Sequence, residues 1–137
     1  MVTGEAPGLS APVVAPMVSM MDVSPYLEHQ RALAEREDAA ARARAADARE
    51  RLPSLVELLV GRYGVTRVWL FGSLLEGVLH ERSDIDVAVE GLAPVQYWDA
   101  GWRCDDVMGR PVDLVPVEDA PPSLIARIRE EGELLHG

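Results

Sequence analysis

The sequence predicts a small α/β (α+β) domain, a mixed β-sheet flanked by helices, preceded by a long N-terminal helix. Three observations carry that prediction. Short runs rich in β-branched and aromatic residues occur at 65–71, 85–89 and 112–117, separated by stretches of other character. A strongly apolar segment with Leu52, Leu55, Val56, Leu58, Leu59 and Val60 stands just ahead of the first run. Further upstream, Ser24-Pro25 offers an N-cap residue with proline at the first helical position, and the next 27 residues, 26–52, hold no glycine or proline.

Taken in order, residues 1–24 are rich in Gly, Ala, Pro, Ser and Met, and prolines 7, 12 and 16 interrupt the one moderately apolar run, 13–20. This segment is expected to be disordered; it lacks the arginine of a secretory leader and is too short in apolar residues to span a bilayer. The helix over 25–51 is alanine-rich with mixed arginine and glutamate, and only Leu27, Leu33 and the alanines form an apolar stripe, so a solvated helix held by local ion pairs is expected. The compact domain is placed at 52–137. It opens with a short helix closed near Gly61 or Gly64, followed by strand, loop and short helix, strand, a helix carrying Val95, Trp98, Trp102 and Val107, strand, and a last helix after Pro122.

Composition narrows the function. The 137 residues carry 13 basic and 23 acidic side chains, a formal net charge of −10, which disfavours direct binding to a nucleic-acid backbone or an anionic membrane. Every basic residue is arginine, which excludes Schiff-base chemistry and a Walker-type P-loop from this chain. A single cysteine, Cys104, allows no internal disulfide and no zinc knuckle, and fits a reducing cytoplasm.

The chemistry concentrates in Asp84-Ile85-Asp86. Side chains two apart on a strand share a face, so two carboxylates would stand together and repel each other unless a cation lies between them. Asp113, early in the next strand run and about 4.8 Å away across a sheet, would complete a three-acid cluster of hard oxygen donors suited to magnesium. Upstream, Gly72-Ser73 closes an apolar strand, where a backbone free of Cβ and a hydroxyl can approach phosphate oxygens. Either feature alone is weak; together they describe one site.

These residues resemble the nucleotidyltransferase fold of the polymerase-beta superfamily, with its Gly-Ser turn, an acid pair eleven residues past the serine, as Asp84 is past Ser73, and a third acid on a later strand. The ending Ile128-Arg129-Glu130-Glu131-Gly132-Glu133-Leu134-Leu135-His136 is similar to the closing segment of the minimal nucleotidyltransferases. The resemblance implies a two-magnesium enzyme that transfers AMP from ATP to a tyrosine of a partner HEPN-domain toxin and acts as its antitoxin, in a hetero-oligomer. It assigns Gly72 and Ser73 to the β- and γ-phosphates, Asp84 and Asp86 to the metals, and Asp113 to the metal nearer the acceptor. Where that pattern commonly has arginine after the turn, this chain has Leu74, Leu75 and Glu76, so Arg82 is the candidate replacement cation. Two alternatives follow: an antitoxin that has lost catalysis and works by occlusion, and a nucleotidyltransferase acting on a small molecule such as an antibiotic.

Other residues attract attention less. His80 is expected to be a solvated loop histidine, Trp98 and Trp102 to be core, Asp105 and Asp106 to lie at a solvated helix end, and Cys104 to be buried and unreactive.

Overall fold

The computed structural model describes residues 23–137. The expected disorder of the leading segment and its apolar run at 13–20 therefore lie outside the described residues. Two compact units divide the chain, one ending at Glu37 and one running from Asp38 to Gly137.

Helix α1 spans Ser24–Tyr63, so the two helices expected on either side of Pro53 are one. Proline removes one N–H from the helical ladder, a loss that packing must offset. Here Leu52 and Leu55 are buried on both sides of it, and burial of a leucine is worth about 2 kcal/mol. In the first unit the helical residues 24–37 are exposed apart from the half-buried Ala32, and Leu27 and Leu33 remain in contact with solvent. In the second unit Ala41, Ala45, Ala48, Leu52, Leu55, Leu59 and Tyr63 recur every three to four residues and are buried. Gly64, at φ 67°, ends the helix in the left-handed conformation that side chains resist, with its N–H on the Val60 carbonyl.

The second unit continues with β1 Arg67–Phe71, β2 Ile85–Glu90, a 3-10 turn Pro94–Gln96, α2 Tyr97–Met108, β3 Val112–Pro116, a 3-10 turn Val117–Asp119, α3 Pro122–Glu131 and β4 Glu133–His136. The strands form one sheet in the order β3-β2-β1-β4. β1 runs antiparallel to β2 and β4, while β2 and β3 are parallel, which is the mixed sheet the sequence predicts. β4 is an addition: the sequence pattern places no strand after the last helix. The expected short helix after Gly72-Ser73 is instead a run of turns, with Glu76 and Val78 donating to the Ser73 carbonyl and Gly77 to that of Leu74.

Strand alternation distributes side chains to two different environments. Val68, Leu70, Ile85, Val87, Val89 and Leu114 join the main core with α1 and with Ala100, Cys104 and Met108 of α2. Trp69, Ala88, Val117 and Ile128 form a smaller cluster with Phe71 and Leu124, covered by α3. On this second side, at one end, the strands carry their acids.

Candidate active site

Asp86 is the second residue of β2 and Asp113 the second of β3, and the parallel register sets them directly opposite each other. Phe71, the last residue of β1, is the antiparallel partner of Asp86. All three therefore share the α3 side of the sheet. Asp84 stands one residue before β2, not within it, and is exposed.

Gly72 follows Phe71 at φ 77°, and a Cβ built there would overlap Asp86 Oδ2. Both the backbone conformation and the close approach demand glycine. Asp86 is thereby held beside the turn, and burial pushes its carboxyl above the usual carboxylate range, with the charges of Asp113 and Asp84 adding to the effect. The same three acids that the sequence singles out thus interact electrostatically. Among the described residues no three such groups are already closed into a coordination sphere. The donor chemistry nevertheless fits a hard divalent cation: carboxylate oxygens repelling one another on adjoining strands, beside a turn kept clear of a Cβ.

The loop leading to the acids is pinned by residues that sequence reasoning does not single out. Arg110 donates to the carbonyls of Ser83 at 2.6 Å and His80 at 3.1 Å, and Arg44 donates to that of Leu79 at 3.1 Å. Asp105, expected merely to be solvated, accepts the N–H of Val112 at 2.7 Å and so anchors β3 next to Asp113. Local sequence marks none of these roles: the Arg44 and Arg110 contacts span 27 to 35 residues, and Asp105 meets Val112 only where the chain turns from α2 into β3. Ser73 is half-buried; Arg82 is exposed in the loop before Asp84, as is the His80 side chain.

A second cation comes from farther away. A cavity of about 340 Å³ is lined by Phe71, Gly72, Leu75, Glu76, Arg127, Ile128 and Glu131, which brings Arg127 of α3 beside the glycine turn. Its only ion pair among the described residues is a long 3.8 Å contact to Glu131. The sequence signal for this is weak, since arginine a few residues before a helix end is ordinary.

Two further expectations meet opposite outcomes. Cys104 is fully buried, and burial raises its thiol to about 12, which makes it unreactive as expected. Trp98 and Trp102, expected in the core, are 83% and 79% exposed. α2 buries Ala100, Cys104 and Met108, so the indoles fall on its outer side.

The sequence profile of the polymerase beta nucleotidyltransferase family matches residues 54–137, more than half of the chain. The chain belongs to that family. The chain is 32% identical over 73 residues to the protein adenylyltransferase MntA of Shewanella oneidensis, a match covering 51% of this chain. The chain spans about half the length of that curated relative, 52%. In three dimensions it is similar to a toxin–antitoxin complex structure of MntA, at 26% identity and TM-score 0.58, over 62% of this chain and 72% of the other. A toxin–antitoxin structure with AMP-PNP matches at 27% identity and TM-score 0.55, over 61% and 72%. A protein described as a candidate minimal nucleotidyltransferase matches at 26% identity and TM-score 0.57, over 64% and 92%. The nucleotidyltransferase fold and the resemblance to the minimal nucleotidyltransferases, both expected from the sequence, are borne out. Among the described residues no helix is long and apolar enough to cross a membrane.

Proposed function

We propose that this nucleotidyltransferase domain transfers AMP from ATP to a tyrosine hydroxyl of a partner HEPN-domain toxin, with magnesium, and thereby serves as the antitoxin of the pair in a reducing cytoplasm. The observation that carries this reading is the in-register pair Asp86 and Asp113 beside the Cβ-free turn at Gly72. Supporting it, the matched relative is a protein adenylyltransferase and a similar toxin–antitoxin structure holds AMP-PNP.

In this reading Asp84, Asp86 and Asp113 would hold two magnesium ions. Bound there, the ions would lower the pKa of the attacking hydroxyl and stabilise charge on the departing pyrophosphate. Gly72 and Ser73 receive the β- and γ-phosphates on backbone and hydroxyl. Arg82 and Arg127 are the cations available to offset phosphate charge that Glu76 would otherwise oppose. Asp113 takes the proton of the acceptor hydroxyl as its oxygen bonds to the α-phosphorus; the bond from that phosphorus to the bridging oxygen breaks, and pyrophosphate leaves. Arg110 and Asp105 act on none of these atoms; they position the loop and strand that carry the acids.

The replacement of arginine after Ser73 by Leu74, Leu75 and Glu76 favours one second reading, an antitoxin that neutralises by occlusion. Intact-mass spectrometry of the HEPN-domain partner, incubated with this chain, magnesium and ATP, separates the two. A gain of about 329 Da per transfer, absent with Asp84→Ala, is the expected result. A stable complex with no gain in mass selects occlusion.

A further inference from the structure

Helix α2 is amphipathic in an unusual sense: Ala100, Cys104 and Met108 are buried in the core, yet its outer side presents Trp98 and Trp102 one turn apart. Val95, just before the helix, is 92% exposed. Two indoles one turn apart in water, with an exposed valine close by in the chain, are not a scatter of single surface hydrophobes. The face is also shaped. An open hollow of about 680 Å³ lies between Trp98, Tyr97, Leu92, Pro94 and Pro116, and a narrower one runs from the two indoles to Val112 and Leu114 of β3. β3 is an edge strand, so its outer backbone groups adjoin the same face.

The charge around this face identifies its occupant. Asp99, Asp105, Asp106, Glu118 and Asp119 line the hollows, against Arg103 alone. Arg103 is itself paired to Asp99 at 3.3 Å. A nucleotide or an anionic lipid surface would meet like charge there. A second copy docked symmetrically would bring acidic rim against acidic rim. Residues 1–22 of this chain offer Glu5 and Asp22 and no arginine, so they supply no complement either. A basic protein surface that carries apolar side chains satisfies both features, with indoles as central anchors and carboxylates as a rim that steers and aligns.

We infer that the outer face of α2, centred on Trp98 and Trp102, docks a partner protein through a basic surface studded with apolar side chains. α2 covers the side of the sheet opposite Asp86 and Asp113, so this face holds a partner without occupying the acids. The surface is argued independently of the proposed reaction; only the choice of probe, the HEPN-domain protein, rests on that reading.

The test measures the affinity of the full chain for the HEPN-domain protein by titration calorimetry at low and high salt. Trp98→Ala and Trp102→Ala are each expected to weaken binding by about 30-fold, the loss that marks an interface anchor. Asp106→Asn with Asp119→Asn is expected to weaken it several-fold at low salt and to flatten its salt dependence. Both tryptophans are exposed, so unchanged circular dichroism and unfolding midpoints separate lost docking from lost fold. Unchanged affinity in both tryptophan variants overturns the inference. So does sedimentation showing that the chain alone dimerises through these residues, or tryptophan emission that shifts red on deletion of 1–22. The intact mass of the same samples keeps the two claims apart. Tryptophan-dependent binding without AMP transfer retains the docking face and removes the reaction, whereas transfer with tryptophan-independent binding does the reverse. No complex with the wild-type chain overturns the docking face, and the partner's mass then decides the reaction by itself.

Discussion

The two sides of the sheet are built from the same strands and differ in what they can afford to lose. Toward α1 and α2, the residues Val68, Leu70, Ile85, Val87 and Val89 are each 0% exposed and packed in one apolar cluster. Toward α3, the alternate positions pass from Trp69 and Ala88 to Phe71, Asp86 and Asp113, so the apolar cover gives out where the acids begin. One side is stabilised by close packing and water exclusion. The other carries a half-buried carboxylate held above its ordinary pKa by burial and by neighbouring charge, which is unfavourable for folding. The core side carries stability so that the acid side can carry repulsion, and a period of two residues keeps them apart.

The sharpest way to break this comparison is to change one residue on each side. Asp86→Ala is expected to reduce AMP transfer by at least about 10³-fold, since it removes a donor from the acid cluster. The unfolding midpoint should hold or rise, because mutual repulsion is relieved. A variant that unfolds and stays active when refolded would show that Asp86 serves structure rather than chemistry. On the opposite side, Leu70→Ala is expected to cost about 2–5 kcal/mol in urea unfolding through the cavity it leaves, while the remaining folded protein keeps its transfer rate. Loss of rate in the folded fraction would mean that the two sides are coupled through β1.

A smaller effect tests the attachment of the last strand. Arg49 of α1 donates two hydrogen bonds to Glu133 at the start of β4, at 2.7 and 3.2 Å, and the guanidinium hydrogen bond holds the Glu133 carboxyl below its usual value. A depressed folded-state pKa contributes stability above the unfolded glutamate pKa and loses it as pH falls through the folded value. Both side chains are 41% exposed, so solvent screening limits the contribution to below about 1 kcal/mol. Glu133→Gln should therefore lower the unfolding midpoint slightly at pH 7, and the difference from wild type should vanish as the solution is acidified below about pH 4. A difference that persists in acid would assign the effect to packing.

Much of the site is legible in the sequence alone. Gly72, Asp86 and Asp113 can be paired there because alternation and glycine chemistry are local rules that survive in any sheet. The positioning residues are not legible in the same way. Arg110 acts through carbonyls 27 and 30 residues away, and Arg127 reaches Gly72 only because α3 packs on the acid-bearing side of the sheet. The tryptophans mislead for a related reason: their spacing reports that they share a helix face, but not whether that face meets the core or the solvent.

By itself the sequence determined the alternating strands, the long helix, the arginine-only basic set and the acids with their glycine-serine turn, all of which follow from propensity, side-chain period and composition. Only the tertiary structure decided that β4 adds to β1, that α1 runs through Pro53, that Asp86 and Asp113 stand in register, and that Trp98 and Trp102 face water. Local rules govern a residue and its near neighbours. Register, helix orientation and charge pairing are settled by which distant surfaces exclude water together, and that is a property of the whole packed chain.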